Sequence, residues 1–227
     1  MCGRFDQHSP IETLQQAFNI DTIESDATPN YNIAPTQEIL SILKHNDQNH
    51  LVRIHWGLVP FWAKDIKFGS RMINARAETV ADKPAFRNAF KKRRCLIIAD
   101  GFYEWKGKEG HKQPYYITIP SGKPFAFGGL WETWHNKEGD EESVYRSCTI
   151  ITAAASESLK NLHHRMPVIL LPEYHDRWLN PETQDPKELR DILKDGSIRD
   201  MQYYPVSKHV NSPKNNDPTC IEPIDNK

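Results

Sequence analysis

The sequence predicts an α+β fold organised on a closed or strongly curved β-sheet. Three observations carry this. Short strand-forming runs recur at a close cadence over 38–43, 51–56, 95–99, 114–119, 125–130 and 144–153, with turn formers between them. Helical patterns are few and short. No internal repeat, linker or low-complexity tract divides the 227 residues, which suits one domain, 1–227, with a real core.

Taken in order, Ser9-Pro10-Ile11-Glu12 has the form of a capping box with Pro at the first helical position. Ile11, Leu14 and Phe18 follow at helical spacing, so a short helix should run to about Asn19. After Tyr31-Asn32-Ile33-Ala34-Pro35 comes a strand, Glu38 to Leu43, a turn at Asn46-Asp47-Gln48-Asn49, and a returning strand, Leu51 to Trp56. The loop Gly57-Leu58-Val59-Pro60-Phe61-Trp62 sets two aromatics ahead of basic residues; Phe61 reads as core, whereas Trp62 suits either core or base stacking. In the stretch Arg71 to Thr79, Asn74, Arg76 and Glu78 alternate, which places them on one face of an extended segment. Pro84 to Arg94 reads as a helix with Phe86 and Phe90 inward and Arg87, Lys91 and Lys92 outward.

The buried strand Cys95 to Ala99 runs into Asp100-Gly101-Phe102-Tyr103-Glu104-Trp105-Lys106. Glu104 among aromatics is either a desolvated carboxyl with a raised pKa, suited to proton transfer, or a strand-end Glu facing water. Lys137 to Glu142 is a polar hairpin tip. Leu162-His163-His164-Arg165-Met166-Pro167 lies between a short helix and a strand, Val168 to Leu171. Adjacent histidines point apart and make a poor metal pair, so no metal is expected; one loop histidine serves either structure or acid–base work. Leu171 to Leu179 and Pro186 to Asp195 read as surface helices, and the last few residues as a tail.

Composition narrows the function. Charged residues are 26% and hydrophobic residues 38%, as in folded soluble chains. No apolar run approaches the roughly 18 residues of a membrane span. The start lacks a basic-then-apolar leader, so a cytoplasmic protein without a membrane partner is expected. None of the cysteines Cys2, Cys95, Cys148 and Cys220 forms a C-x-x-C pair, and Cys95 and Cys148 head apolar runs as core residues do. Net charge is −1, yet Arg53 to Arg94 holds eleven Lys or Arg against three Asp or Glu, a local +8 on an otherwise acidic chain. That asymmetry is either a phosphate-binding face or a solvated basic one.

The second residue is a cysteine. Trimming of Met1 next to this small residue would leave Cys2 with an α-amine, of ordinary pKa about 7.7–8.0, beside a thiol near ~8.5. Both are partly nucleophilic near neutral pH. Amine and aldehyde give an imine, and the thiol can close on the same carbon to form a thiazolidine. The plain alternative is a cysteine on a frayed terminus.

The motifs Met1 to Phe5, Tyr31 to Pro35, Trp56 to Pro60, Ile73 to Thr79, Arg94 to Ile98, Gly101 to Trp105, His163 to Pro167 and Pro205-Val206-Ser207 together resemble the SRAP (SOS response-associated peptidase) family, whose members process abasic sites in DNA. The resemblance spans essentially the whole chain. It implies a single domain with a curved, barrel-like, mostly antiparallel sheet flanked by short helices. It also implies a monomer that cross-links through Cys2 to abasic sites in single-stranded DNA, with lyase activity, self-reversal and no cofactor. Asn74, Glu104 and His163 would join Cys2 in the chemistry. Arg4, Arg76 and Arg165 would hold phosphates, Trp62 and Pro35 would line the place where bases splay, and Trp105, Ser207 and Lys208 would complete the DNA contacts. Two competing readings are a thiol peptidase of the N-terminal-nucleophile kind, and a single-stranded DNA-binding module without chemistry.

Overall fold

The structure, a computed structural model, describes residues 2–136 and 144–224. The expected tip Lys137 to Glu142 and the end of the tail lie outside the described residues. In chain order the strands are β1 (Phe5–Gln7), β2 (Thr22–Ile23), β3 (Asn30–Ile33), β4 (Glu38–His45), β5 (Gln48–Trp56), β6 (Asn74–Arg76) and β7 (Arg94–Ala99). They continue with β8 (Gly101–Lys106), β9 (Gln113–Thr118), β10 (Phe125–His135), β11 (Val144–Ala154), β12 (Arg165–Pro167), β13 (Ile169–Leu170) and β14 (Gln202–Pro205). The helices are α1 (Ile11–Ala17), α2 (Arg87–Lys92), α3 (His175–Leu179) and α4 (Pro186–Asp195), joined by short 3₁₀ turns.

Five strands close a barrel in the order β11-β10-β7-β4-β5. Its seam is a parallel pairing of β5 with β11, His55 opposite Ser147 and Trp56 opposite Cys148. The β4–β5 hairpin turns on Asn46 and Asp47, both at positive φ, the conformation that two-residue hairpin loops favour and that Asn and Asp tolerate. A second sheet, ordered β14-β9-β8-β1-β3, packs against the barrel. The pairings are mostly antiparallel, as expected.

Alternation explains why the central strands read as unbroken apolar runs. On β7, Cys95, Ile97 and Ala99 face a core shared with Phe5, Phe102 and Ile117 of the second sheet. Leu96 and Ile98 face another core, filled by Leu14, Phe90, Trp178 and Ile192 from the four helices. Both faces are covered, so neither can be polar. The chain crosses from barrel to second sheet at Asp100-Gly101, between β7 and β8. Gly101 is obligatory there, because a Cβ would lie 2.2 Å from the Tyr116 ring.

Arg94, at the start of β7, is only 2% exposed. Its guanidinium donates to the carbonyls of Trp178 (2.6 Å), Phe90 (2.8 Å) and Lys91 (2.6 Å), tying α2 and α3 to the barrel. These are orphan carbonyls at helix ends, which need donors when buried.

Several expectations are corrected. The capping box does not form: Pro10 occupies the N-cap of α1, and the Ser9 hydroxyl donates instead to Asp100. Asp100 also accepts from the backbone N–H of His8 (2.6 Å) and Ser9 (2.9 Å), and a buried carboxylate outcompetes a helix end for that hydroxyl. The short helix ahead of His163 is a pair of turns, with His163 N–H donating to Leu159 O at 3.0 Å. The strand expected over 168–171 is only the two-residue β13, which pairs with β10; a separate strand, β12, lies just before it and pairs with β11. Helix 171–179 is a 3₁₀ turn followed by α3, and its His175, Trp178 and Leu179 are buried rather than superficial. Phe61 is not core: it is 53% exposed.

Candidate active site

The chain's first residues enter the second sheet through β1. Phe5 pairs with Phe102, and Tyr103 N–H donates to Arg4 O at 2.9 Å. This register carries Cys2 alongside β8, where Glu104 sits. Cys2 is completely buried, among Phe5, Ile33 and their neighbours.

Asn74 reaches Cys2 from the barrel side. Strand β6 lies parallel to β11, Asn74 opposite Ile150 and Arg76 opposite Thr152. The Trp56 indole donates to Ile73 O at 2.9 Å and fixes the approach to this strand. From there Asn74 Nδ2 donates to Cys2 O at 2.8 Å. The four residues Cys2, Asn74, Glu104 and His163, drawn from distant segments, thus meet where the two sheets join.

Burial sets the protonation. Glu104 is 6% exposed, and removal from water pushes its carboxyl up to about 7, because the charged form loses its hydration. The Cys2 thiol is pushed well up, first by burial and then by the charge on Glu104. At rest it is a thiol, so it needs a base to react. His163 Nδ1 lies 3.8 Å from Glu104 Oε1 and within 3.0 Å of the Arg165 N–H. Burial lowers the pKa of His163, which favours its neutral form near pH 7. A carboxyl raised to about 7 and an imidazole held towards its neutral form therefore stand beside the buried Cys2.

A groove leads away from Asn74. It encloses about 450 Å³ between Trp62, Met72, Arg76, Lys83 and Pro84. Trp62 is 48% exposed, so it offers a ring face, and Arg76 is exposed along the wall. Gly57 opens the loop that carries Trp62; it has φ +134°, and a Cβ there would lie 2.7 Å from Gly69 O.

The remaining expected contacts are placed less openly. Arg4 donates to Asn32 Oδ1 (2.7 Å) and Val210 O (2.8 Å), with its guanidinium 5.7 Å over the Trp105 ring. Arg165 holds Glu78 through two bonds of 2.6 and 3.0 Å and donates to Thr152 O at 2.6 Å. Pro35 is half-buried in the turn after β3, next to Thr36 at φ +72°. Trp105 and Lys208 line a separate depression with Lys112 and Asn211, and the Ser207 hydroxyl accepts from His209 N–H at 3.2 Å to cap a 3₁₀ turn.

The SOS response associated peptidase (SRAP) model matches residues 1–213. The chain belongs to the SRAP family. Relatives of this SRAP chain include the abasic site processing protein YoqW of Bacillus subtilis (strain 168), 47% identical over 225 residues, or 98% of this chain and 99% of that one. The abasic site processing protein YedK of Escherichia coli (strain K12) is 32% identical over 231 residues, 99% of this chain and 100% of its own. Among solved structures, a protein from Bacteroides thetaiotaomicron superposes with a TM-score of 0.79 at 26% identity, covering 98% of this chain and 100% of that chain.

Within this SRAP chain the sequence reading left out Lys83, Met72 and Pro84 of the groove. Lys83 belongs to the basic stretch 53–94, so charge was its signal; Met72 and Pro84 carried none. Among the described residues two clusters bring possible metal ligands within 4.8 Å of one another: Asp6, His8 and Asp100, and His209, Asp217 and Cys220. Each is knit by internal bonds, His8 Nδ1 to Asp6 Oδ2 at 2.6 Å and His209 Nε2 to Asp217 Oδ2 at 2.9 Å. No described helix is long and apolar enough to cross a membrane.

Proposed function

We propose that, once Met1 is removed, Cys2 captures the aldehyde of a ring-opened abasic site in single-stranded DNA and holds it as a thiazolidine. The observation that carries this reading is the grip of Asn74 on the Cys2 carbonyl beside a Glu104 carboxyl pushed up to about 7. The relatives' role as abasic site processing proteins supports it.

The atoms balance without a co-reactant. The Cys2 amine adds to the aldehyde carbon to give a carbinolamine. Glu104, protonated, delivers a proton to the carbinolamine oxygen, which leaves as water, and an iminium that keeps its one N–H remains. The now ionised Glu104 takes the thiol proton as sulfur adds to the imine carbon. A C–S bond forms, the C=N bond becomes single, and the nitrogen keeps its one hydrogen as the neutral ring amine. The same carboxyl returns a proton to sulfur when the ring reopens, so one group serves capture and self-reversal. His163 serves the sugar hydroxyl that ring opening frees. Strand cleavage follows from the imine, which acidifies the neighbouring carbon and allows elimination of the 3′ phosphate. In the groove, Trp62 offers a stacking face and Arg76 a phosphate contact. One copy of the chain suffices for these steps.

The test is a denaturing gel of the purified protein mixed with an abasic single-stranded oligonucleotide, with mass spectrometry of the intact chain. A heat-stable shifted band, from protein lacking Met1, is the expected result. A complex that vanishes on denaturation would leave only a binding module. Release of peptide without any adduct would point to a thiol peptidase.

A further inference from the structure

Phe61 and Trp62 are neighbours in sequence, and both are about half exposed, at 53% and 48%. They serve different hollows. Trp62 lines the groove that leads to Asn74. Phe61 lines another, of about 590 Å³, together with Asn88, Lys91, Lys92, Thr133 and His135. Lys91 and Lys92 are exposed in the last turn of α2. The third cation there, Arg93, is occupied: it donates to the buried Glu132 at 2.7 Å. Cations at a helix C-terminus already complement the helix dipole, so the lysines alone need no ligand. A large ring standing in water beside them is not explained that way. The fold leaves about half of the Phe61 surface unburied.

We infer that the Phe61 cleft is a second contact for the same DNA strand, outside the lesion groove. A base stacks on Phe61 while the phosphates beside it meet Lys91 and Lys92. Two features favour a nucleic-acid strand over other occupants. An exposed ring flanked by unburied cations is the combination that single strands use, since every base has a stacking face and every linkage a negative charge. Phe61 is also the immediate chain neighbour of Trp62, which lines the lesion groove, so their Cα atoms stand about 3.8 Å apart and one strand can reach both hollows. This deepens the proposed function and rests on it: the chain would grip several nucleotides on one side of the lesion.

The experiment compares wild type, Phe61→Ser and the double variant Lys91→Gln/Lys92→Gln. All three positions are exposed, and unchanged thermal midpoints confirm that the fold is intact. Fluorescence anisotropy measures affinity for undamaged single strands of increasing length. Gel shifts measure adduct yield on an abasic oligonucleotide with one nucleotide on each side of the lesion. In wild type, affinity should climb as the strand lengthens. Phe61→Ser should lose roughly tenfold on long strands, the scale of one lost base–ring stack, with adduct on the short oligonucleotide unchanged. The lysine variant should show a log K against log salt slope shallower by about 1.4, from two phosphate contacts on a single strand. If both variants match wild type on long strands while adduct still forms, the cleft is not a DNA contact and the lesion reading stands alone. If the lysine variant changes but Phe61→Ser does not, the cleft supplies only charge and the stacking site is overturned. If wild type neither binds strands nor forms adduct, the proposed function itself fails and this inference falls with it.

Discussion

Glu104→Gln should make the protein more stable at pH 8 and slow its chemistry at the same time. Burial pushes the carboxyl from its ordinary 4.5 up to about 7. Below pH 4.5 it is protonated in both the folded and unfolded chain, and its full stability contribution is present. As pH rises towards 7 the unfolded chain gives up its proton first, so the folded state loses ground; above pH 8 the loss is complete. At about 1.4 kcal/mol for each tenfold in proton affinity, the loss reaches up to about 3 kcal/mol. Glutamine keeps the shape and cannot ionise, so it escapes this penalty. Urea unfolding at pH 5 and pH 8 measures it. The variant should match wild type to within about 1 kcal/mol at pH 5 and exceed it at pH 8, by roughly 6–12 °C in Tm for a chain of this size. Adduct formation and release should both slow by about 10²–10⁴-fold. The reasoning is refuted if wild type and variant lose equal stability between the two pH values, or if the variant forms and releases adduct at wild-type rates.

Further outcomes follow from the same geometry. Cys2→Ala should abolish the heat-stable adduct while retaining weak DNA affinity, read by gel and anisotropy; an undiminished adduct excludes the ring. His163→Ala should slow initial capture and reduce strand cleavage, followed as a time course on end-labelled abasic oligonucleotide. Arg76→Ala should make the salt dependence of binding shallower by about 0.7 in log–log slope, one phosphate on a single strand. Arg94→Ala strands four carbonyls, those of Phe90, Lys91, Trp178 and Asn180, and should cost roughly 3–5 kcal/mol in urea unfolding, with the m-value unchanged.

Much of the site could be read from residue types, because the chemistry is written in single side chains. An aminothiol at Cys2 calls for an aldehyde, and a carboxyl embedded at Phe102-Tyr103-Glu104-Trp105 calls for a raised pKa; the burial of Glu104 decides between the two sequence readings of it. What the sequence hid is long-range competition. Ser9 has the spacing of a cap, but its hydroxyl goes to Asp100, a partner from β7's far end that no local pattern reveals. Phe61 looks like core by type, yet Pro60 and the tight Gly57 loop leave it facing solvent. Arg4 and Arg165 carry the right charge for phosphate, and no local pattern signals that they also reach Asn32 and Glu78. The strands and their closed or strongly curved sheet were legible, and the order in which the strands pair was not. Both faces of β7 are apolar, so its pattern cannot say which neighbour lies where, and the parallel seam of β5 with β11 has no turn to announce it.

That seam also bears on when the site can exist. Strand β11 pairs with β10 and closes the ring on β5, and it also carries β6, which holds Asn74, and β12, which begins at Arg165. Hairpins such as β4–β5 form from near neighbours in the chain, whereas joining residues 55–56 to 147–148 requires closing a long loop and is slow. Until β11 docks, Asn74 has no scaffold from which to hold the Cys2 carbonyl. The contact between Asn74 and Cys2 is therefore tied to a long-range pairing of the fold: a chain that has not made it carries the cysteine without Asn74 beside it.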